Sequence, residues 1–334
     1  MDLFDESGHT RIIGISARCM HDRDRNEPST EHLLERAYDA IRNCDLDGSI
    51  VPLEQALAID FDNANVLASL KYVNFWSERD RQIAGIGHDF ERGQYLLDQW
   101  PIFDTFVRRI GEPCEPCLHA LRHYVFGRAL EAFGRLFADS DQTDPELLLR
   151  IGRCHKGIGA YDLAVQYLEA AAAERPGDAE VTAELADAYA LVNETAAAKA
   201  FFREALFIDP QRVHLEVLES QMIRALVEKV SETGLDESEL LEWLPVYGVL
   251  FGVLNVKREL RSIEYGKLKQ SIYALERELR EGRSRREVVE PRLINRYFWL
   301  IDHYVATGED TGKVDEVLLK LRALNDRIYR QYTN

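Results

Sequence analysis

Cys114, Cys117, His119 and His123 fall within one short stretch, CEPCLHALRH. These side chains bind zinc, and a tetrahedral site needs four such ligands converging on one point. Cys154 and His155 could approach from a neighbouring segment. Two features weaken the set. The stretch enters a helical pattern that spreads its side chains around an axis, and a lone C-x-x-C outside a strand–helix–strand unit is weak support for redox chemistry. Unbound cysteines and packed histidines are the expected state, so no metal and no other cofactor is expected. The chain holds no G-x-G-x-x-G, P-loop, H-E-x-x-H or G-x-S-x-G motif, which directs the reading away from an enzyme.

A second pattern suits recognition. Arg153 and Lys156 are three residues apart and share a helix face, with Arg150 beside them. Together they could hold a carboxylate or an acidic peptide. The basic run RELREGRSRREVVEPR contains Arg277, Arg280, Arg283, Arg285 and Arg286, but Glu276, Glu278, Glu281 and Glu287 interleave with it. It reads as a salt-bridged helix end.

The chain that must position these groups has 334 residues, 46% of them apolar or aromatic, and a formal net charge of −17. An acidic surface argues against DNA or an anionic membrane as the main partner. The charge is uneven. Residues 255–300 carry twelve Lys/Arg against seven Asp/Glu, a local +5 that leaves −22 on the remainder. Five cysteines, an odd and sparse set, suit a reducing cytoplasm. The N-terminal stretch has no apolar core of signal-peptide length. The most apolar window, WLPVYGVLFGVLNV at 243–256, is too short to span a bilayer and reads as a buried helix.

Residues 1–28 are polar without a period and read as a flexible leader. STEHLLERAYDAI then opens a helix capped by Ser29 or Thr30, with Leu33, Leu34, Ala37, Tyr38 and Ile41 on one stripe. CDLDGS breaks it, and IVPLEQALAI makes its partner. The same grammar recurs at 145–178 and 179–212. Pro176 and Pro210 are 34 residues apart, and at that offset Gly152 aligns with Ala186, His155 with Tyr189, Ala164 with Ala198, Leu168 with Phe202 and Ala171 with Ala205. Small residues let the two helices of a hairpin approach, large ones fill the space between hairpins, and proline stops the second helix.

This pattern resembles the tetratricopeptide repeat, a 34-residue helical hairpin with small and large residues at these offsets and a final proline. Segment 30–63 has the same hairpin grammar, 64–110 and 111–144 fit it loosely, and 213–246 begins well before it degenerates. The resemblance implies an all-α, right-handed α-solenoid of helix–turn–helix hairpins over 29–245. It further implies that exposed positions on the first helix of each pair face a concave groove and touch a ligand. Those positions are Glu146, Leu149, Arg150, Arg153 and Lys156, then Glu180, Ala183, Asp187 and Ala190, then Val217, Gln221 and Arg224. Members that grip chaperone C-termini use Lys, Arg and Asn. Arg153 stands where the Asn belongs and Asp187 follows one repeat later, which counts against chaperone docking.

Residues 246–334 read as a capping region, since the last apolar face of a solenoid must be covered. Val256, Leu260 and Ile263 form one stripe and Leu268, Ile272, Leu275 and Leu279 another, which suggests a long, kinked helix. A last hairpin sets Leu293, Tyr297, Leu300, Ile301 and Tyr304 against Val317, Leu321, Leu324 and Ile328. The function expected is a non-enzymatic adaptor that binds a peptide or helix of a partner protein in the groove. The alternative is a regulatory or enzyme-associated subunit that forms a homodimer or contacts an effector through its C-terminal helices. A metal-dependent activity at the Cys/His cluster ranks last.

Overall fold

The computed structural model of the protein describes residues 28–111, 113–139, 143–256, 259–282 and 285–334. All but the last residue of the expected leader lies outside them. The described chain is an all-α repeat solenoid with fifteen α-helices and no strand.

The first hairpin pairs α1 (Thr30–Arg42) with α2 (Leu46–Ile59). Ser29 caps α1 by accepting the His32 N–H at 3.3 Å. Asp45 caps α2, so that helix starts four residues before the expected Ile50. Two long helices follow, α3 (Ala64–Ile83) and α4 (Asp89–Ile110), and then α5 (Glu115–Ala138). The described residues of segment 111–144 therefore hold one long helix and not a hairpin. Gly127 and Gly134 lie inside it without breaking it. A glycine costs a helix only about 1 kcal/mol relative to alanine, less than the packing of Leu121, Tyr124, Val125 and Phe133 returns. The helix α4 packs along α5, and an aromatic core of Tyr72, Trp76, Phe103 and Tyr124 fills the layer beneath.

The two best repeats fold as their spacing predicts. The pairs are α6 (Pro145–Gly157) with α7 (Tyr161–Glu174) and α8 (Ala179–Leu191) with α9 (Thr195–Ile208). Each second helix stops two residues before its proline. Gly152 has no room for a larger residue: a Cβ there would sit 2.7 Å from Leu168 Cγ. Leu168, Phe202, Ala164 and Ala198 are fully buried.

After Pro210 the chain departs from the repeat. Residues 213–220 hold only a 3-10 turn at Leu215–Val217, and the next helix is α10 (Gln221–Ser231). The N–H groups of Glu219 and Ser220 both donate to Asp187 at 2.8 Å. Those amides are thereby withdrawn from helical bonding.

The apolar window lies largely in α11 (Glu237–Leu250), where Leu244 and Val246 are buried, and no described helix is long and apolar enough to cross a membrane. The helix α11 straddles residue 245. Leu240 and Leu244 join the core beneath α9, whereas Val246 joins the core of the last helices. The C-terminal region holds α12 (Ser262–Glu281), α13 (Arg286–Thr307), α14 (Thr311–Leu324) and α15 (Asp326–Thr333). The expected long helix is shorter, because Leu260 precedes it and donates its N–H to His303 Nδ1 at 3.1 Å. Ile263, placed on the buried stripe by its spacing, is 74% exposed. The second arm of the last hairpin is two helices. Asn325 ends α14 and caps α15, accepting the Ile328 N–H. Its facing residues nonetheless meet α13 as expected, with Val317, Leu321 and Ile328 buried against Leu293, Tyr297 and Tyr304.

Candidate functional site

The first helices of the two repeats face a cavity of about 660 Å³. Its floor comes from α4 and α5. Leu97, Trp100, Phe103 and Val107 recur at three- and four-residue steps along α4, and Leu118, Arg122 and Phe126 do so along α5. Arg150 and Arg153 of α6, Glu180 of α8, Val217 of the 3-10 turn and Arg224 of α10 complete the wall. Arg122 ties the floor to the end of α6 and to Glu219. It donates Nε to the Gly157 carbonyl at 2.9 Å and pairs through Nη2 with Glu219 at 2.5 Å, and its guanidinium lies 5.7 Å from the Trp100 ring centre.

The predicted recognition cations are already engaged. Lys156 is 1% exposed and donates to Glu184 Oε2 at 2.5 Å, Asp187 Oδ2 at 2.8 Å and the Val217 carbonyl at 3.0 Å. Arg153 pairs with Glu184 at 2.7 Å and Glu180 at 3.1 Å. Arg150 pairs with Glu146 and donates to Gln94 at 2.6 Å, and Glu146 also meets Arg175 at 2.7 Å. Burial alone would lower the Lys156 pKa; the carboxylates of Asp187 and Glu184 outweigh it and hold it above the ordinary lysine value. Burial would likewise raise the Asp187 pKa, but Lys156 and the two backbone N–H groups hold it below the usual carboxylate range.

Lys156 and Asp187 are thus structural groups inside the array, a correction to the reading that placed them on its binding face. Leu149 and Ala183 are corrected in the same way. Both are buried, Leu149 in the core between α6 and α7. Ala190 and Gln221 lie apart from the main groove, beside a smaller cavity of about 280 Å³. Of the predicted set, Arg150, Arg153, Glu180, Val217 and Arg224 line the groove itself. Trp100, Arg122 and Glu219 were not anticipated. Trp100 and Arg122 lie on helices without a clear repeat pattern, and Glu219 lies in non-helical chain where the pattern predicts a helix.

The four metal-ligand candidates part company on α5. Cys114 and Cys117 point into the core, where Tyr38 Oη lies 3.2 Å from the Cys114 sulfur. Burial pushes the Cys117 thiol up to about 12. His119 is exposed beside the groove and His123 is half-buried, their rings 4.8 Å apart. Burial, then the charges of His119, Arg42 and Arg122, lowers the His123 pKa. His155 stacks on Tyr167 at 5.2 Å in the repeat's aromatic position. Among the described residues no three His, Cys, Asp or Glu side chains gather to hold a metal ion.

No curated protein matches the chain. Residues 159–217, from the end of the α6–α7 turn through α9 to the 3-10 turn, match the family model of the tetratricopeptide repeat. That match and the helical hairpins around it make this a helical-repeat protein of the tetratricopeptide type over that span.

Proposed function

We propose that the protein is a non-enzymatic scaffold that holds a peptide or helix of a partner protein in the concave groove. The observation that carries this reading is the open cavity of about 660 Å³, with an apolar floor and a polar rim. The half-buried Trp100 and Leu118 offer anchoring surface, and the rim residues Asp98, Glu115 and Arg224 offer register. Three helices and a pinned turn hold the walls in place, so binding would require little ordering of the protein. Tetratricopeptide repeats in general bind proteins and are not enzymes, which agrees with this reading. A cytoplasmic location goes with it, since the four described cysteines are free thiols.

The test is affinity capture from the protein's own cells with wild-type bait and with His119→Glu/Arg224→Glu. Both residues are exposed on the groove rim, so the change leaves the core intact. Loss of a stoichiometric partner by the variant supports the reading. Retention of every partner by a folded variant defeats it. Reversing Arg153 and Lys156 would not serve, because it breaks the internal ion cluster.

A further inference from the structure

The groove's charges point to the kind of segment it takes. Its arginines are largely spent. Arg122 is held by Glu219, Arg150 by Glu146, and Arg153 by Glu184 and Glu180. A guanidinium already paired with carboxylates has little left to offer an acidic ligand. The exposed rim carboxylates are different. Among the described residues Asp98 accepts a bond only from the neutral Gln94 amide, at 2.6 Å, and Glu115 makes no ion pair. Among the described residues Asp104 pairs only with Arg108, itself exposed and on the same helix. Arg224 is the one rim arginine without a carboxylate partner among the described residues; its Nε donates to the Leu218 carbonyl at 3.2 Å. Unpaired charge on the rim is therefore mostly negative, within a chain of net charge −17.

We infer that the groove's occupant is an amphipathic helix of a partner protein, with apolar side chains against Trp100 and Leu118 and Lys or Arg along the edge that meets Asp98 and Glu115. This rests on the groove reading above and sharpens it. It also inverts what the sequence alone suggests, where Arg150, Arg153 and Lys156 read as a clamp for an acidic ligand. Pairing a cation with an exposed, unpartnered carboxylate adds attraction and steers encounter. Bringing a carboxylate there would set like charges together.

Two fluorescein-labelled peptides of about 18 residues test it. Both carry one leucine face; the opposite face is lysine in one and glutamate in the other. Fluorescence anisotropy at low salt measures their affinity for the full chain. The lysine peptide is expected to bind more tightly. Asp98→Lys/Glu115→Lys is expected to weaken it by about fivefold or more, whereas Glu54→Lys/Glu174→Lys, an equal charge change at exposed sites off the groove, changes it less than about twofold. Circular dichroism confirms that both variants are folded. Tighter binding of the glutamate peptide, lost on groove substitution, would overturn the charge assignment and leave the groove standing. Equal weakening by both double variants would overturn it too, by making the attraction one of net charge. Failure of both peptides to bind would remove the groove reading along with it.

Discussion

Lys156 Nζ sits 2.8 Å from Asp187 Oδ2, and at most 1% of either side chain is exposed. The pair joins the first helices of two successive repeats. Asp187 also takes the N–H groups of Glu219 and Ser220, so the same carboxylate fixes the turn that walls the groove. One buried ion pair thus couples the stacking of the array to the shape of the groove.

Removing one partner should be severe. Lys156→Met leaves Asp187 and Glu184 buried without their shared cation, and the loss of one member of a buried pair typically costs about 3–5 kcal/mol. Asp187→Leu should cost as much, since it also orphans two backbone N–H groups. Urea midpoints measure both. A loss below about 1 kcal/mol for either would mean that the cluster is solvated.

The pH dependence follows from the same groups. Asp187 has a folded pKa below its unfolded value, so its contribution is present above about pH 3.9 and is lost as pH falls through the folded pKa. Lys156 has a folded pKa above its unfolded value, so its contribution is intact below about pH 10.4 and is lost only beyond it. His123 and His155, held below the ordinary histidine value, also begin to cost stability as pH drops below about 6.5. Urea midpoints should therefore plateau near neutral pH and fall on both sides. Asp187→Asn should flatten the acid limb; an unchanged acid limb in that variant would contradict the assignment.

Two glycines should respond in opposite directions. Gly152→Ala drives a Cβ to 2.7 Å from Leu168 Cγ, and overpacking of that kind costs about 1–3 kcal/mol, more than the helix propensity gained. At Gly127, within α5, an added Cβ meets nothing within 4 Å, so Gly127→Ala should stabilise by about 0.5–1 kcal/mol. Thermal midpoints in opposite directions fit this packing, and midpoints moving together would not.

The C-terminal helices are tied to the array by Arg203 of α9. It is 3% exposed and binds Asp302 of α13 and the Val256 carbonyl, with Trp299 4.8 Å from its guanidinium. Asp302→Ala leaves that guanidinium buried and unpaired, so it should lower stability by about 3–5 kcal/mol. The stripe of α12 is partly spent inside the molecule, with Leu268 and Ile272 buried against α13. Light scattering on Asp302→Ala and wild type would check that the loss is intramolecular. A change of mass with the substitution would contradict it.

What was legible in the sequence was local. Pro176, Pro210, Gly152 and Leu168 declare the two central hairpins because their roles are set by neighbours within one repeat. Exposed-face positions such as Arg153 and Lys156 depend on what stands opposite, and spacing within one helix does not report that. A weaker signal was present. Glu184 and Asp187 follow Arg153 and Lys156 by the same 31 residues, which is the signature of ion pairs between successive repeats. The floor was harder to find. Trp100 and Arg122 lie on α4 and α5, helices without a clean repeat, and Glu219 comes from a turn where the pattern predicts a helix. Their meeting depends on contacts across nearly a hundred residues of chain.

The central claim is that a partner segment occupies the concave groove. Site-specific photocrosslinking tests it most directly, with benzoylphenylalanine placed at His119 on the groove rim and, in a second protein, at exposed Leu163 on α7 outside it. With the partner recovered by affinity capture, crosslinks should form from position 119 and map to one short segment of that partner. Crosslinks from position 163 alone would place the partner elsewhere and contradict the account.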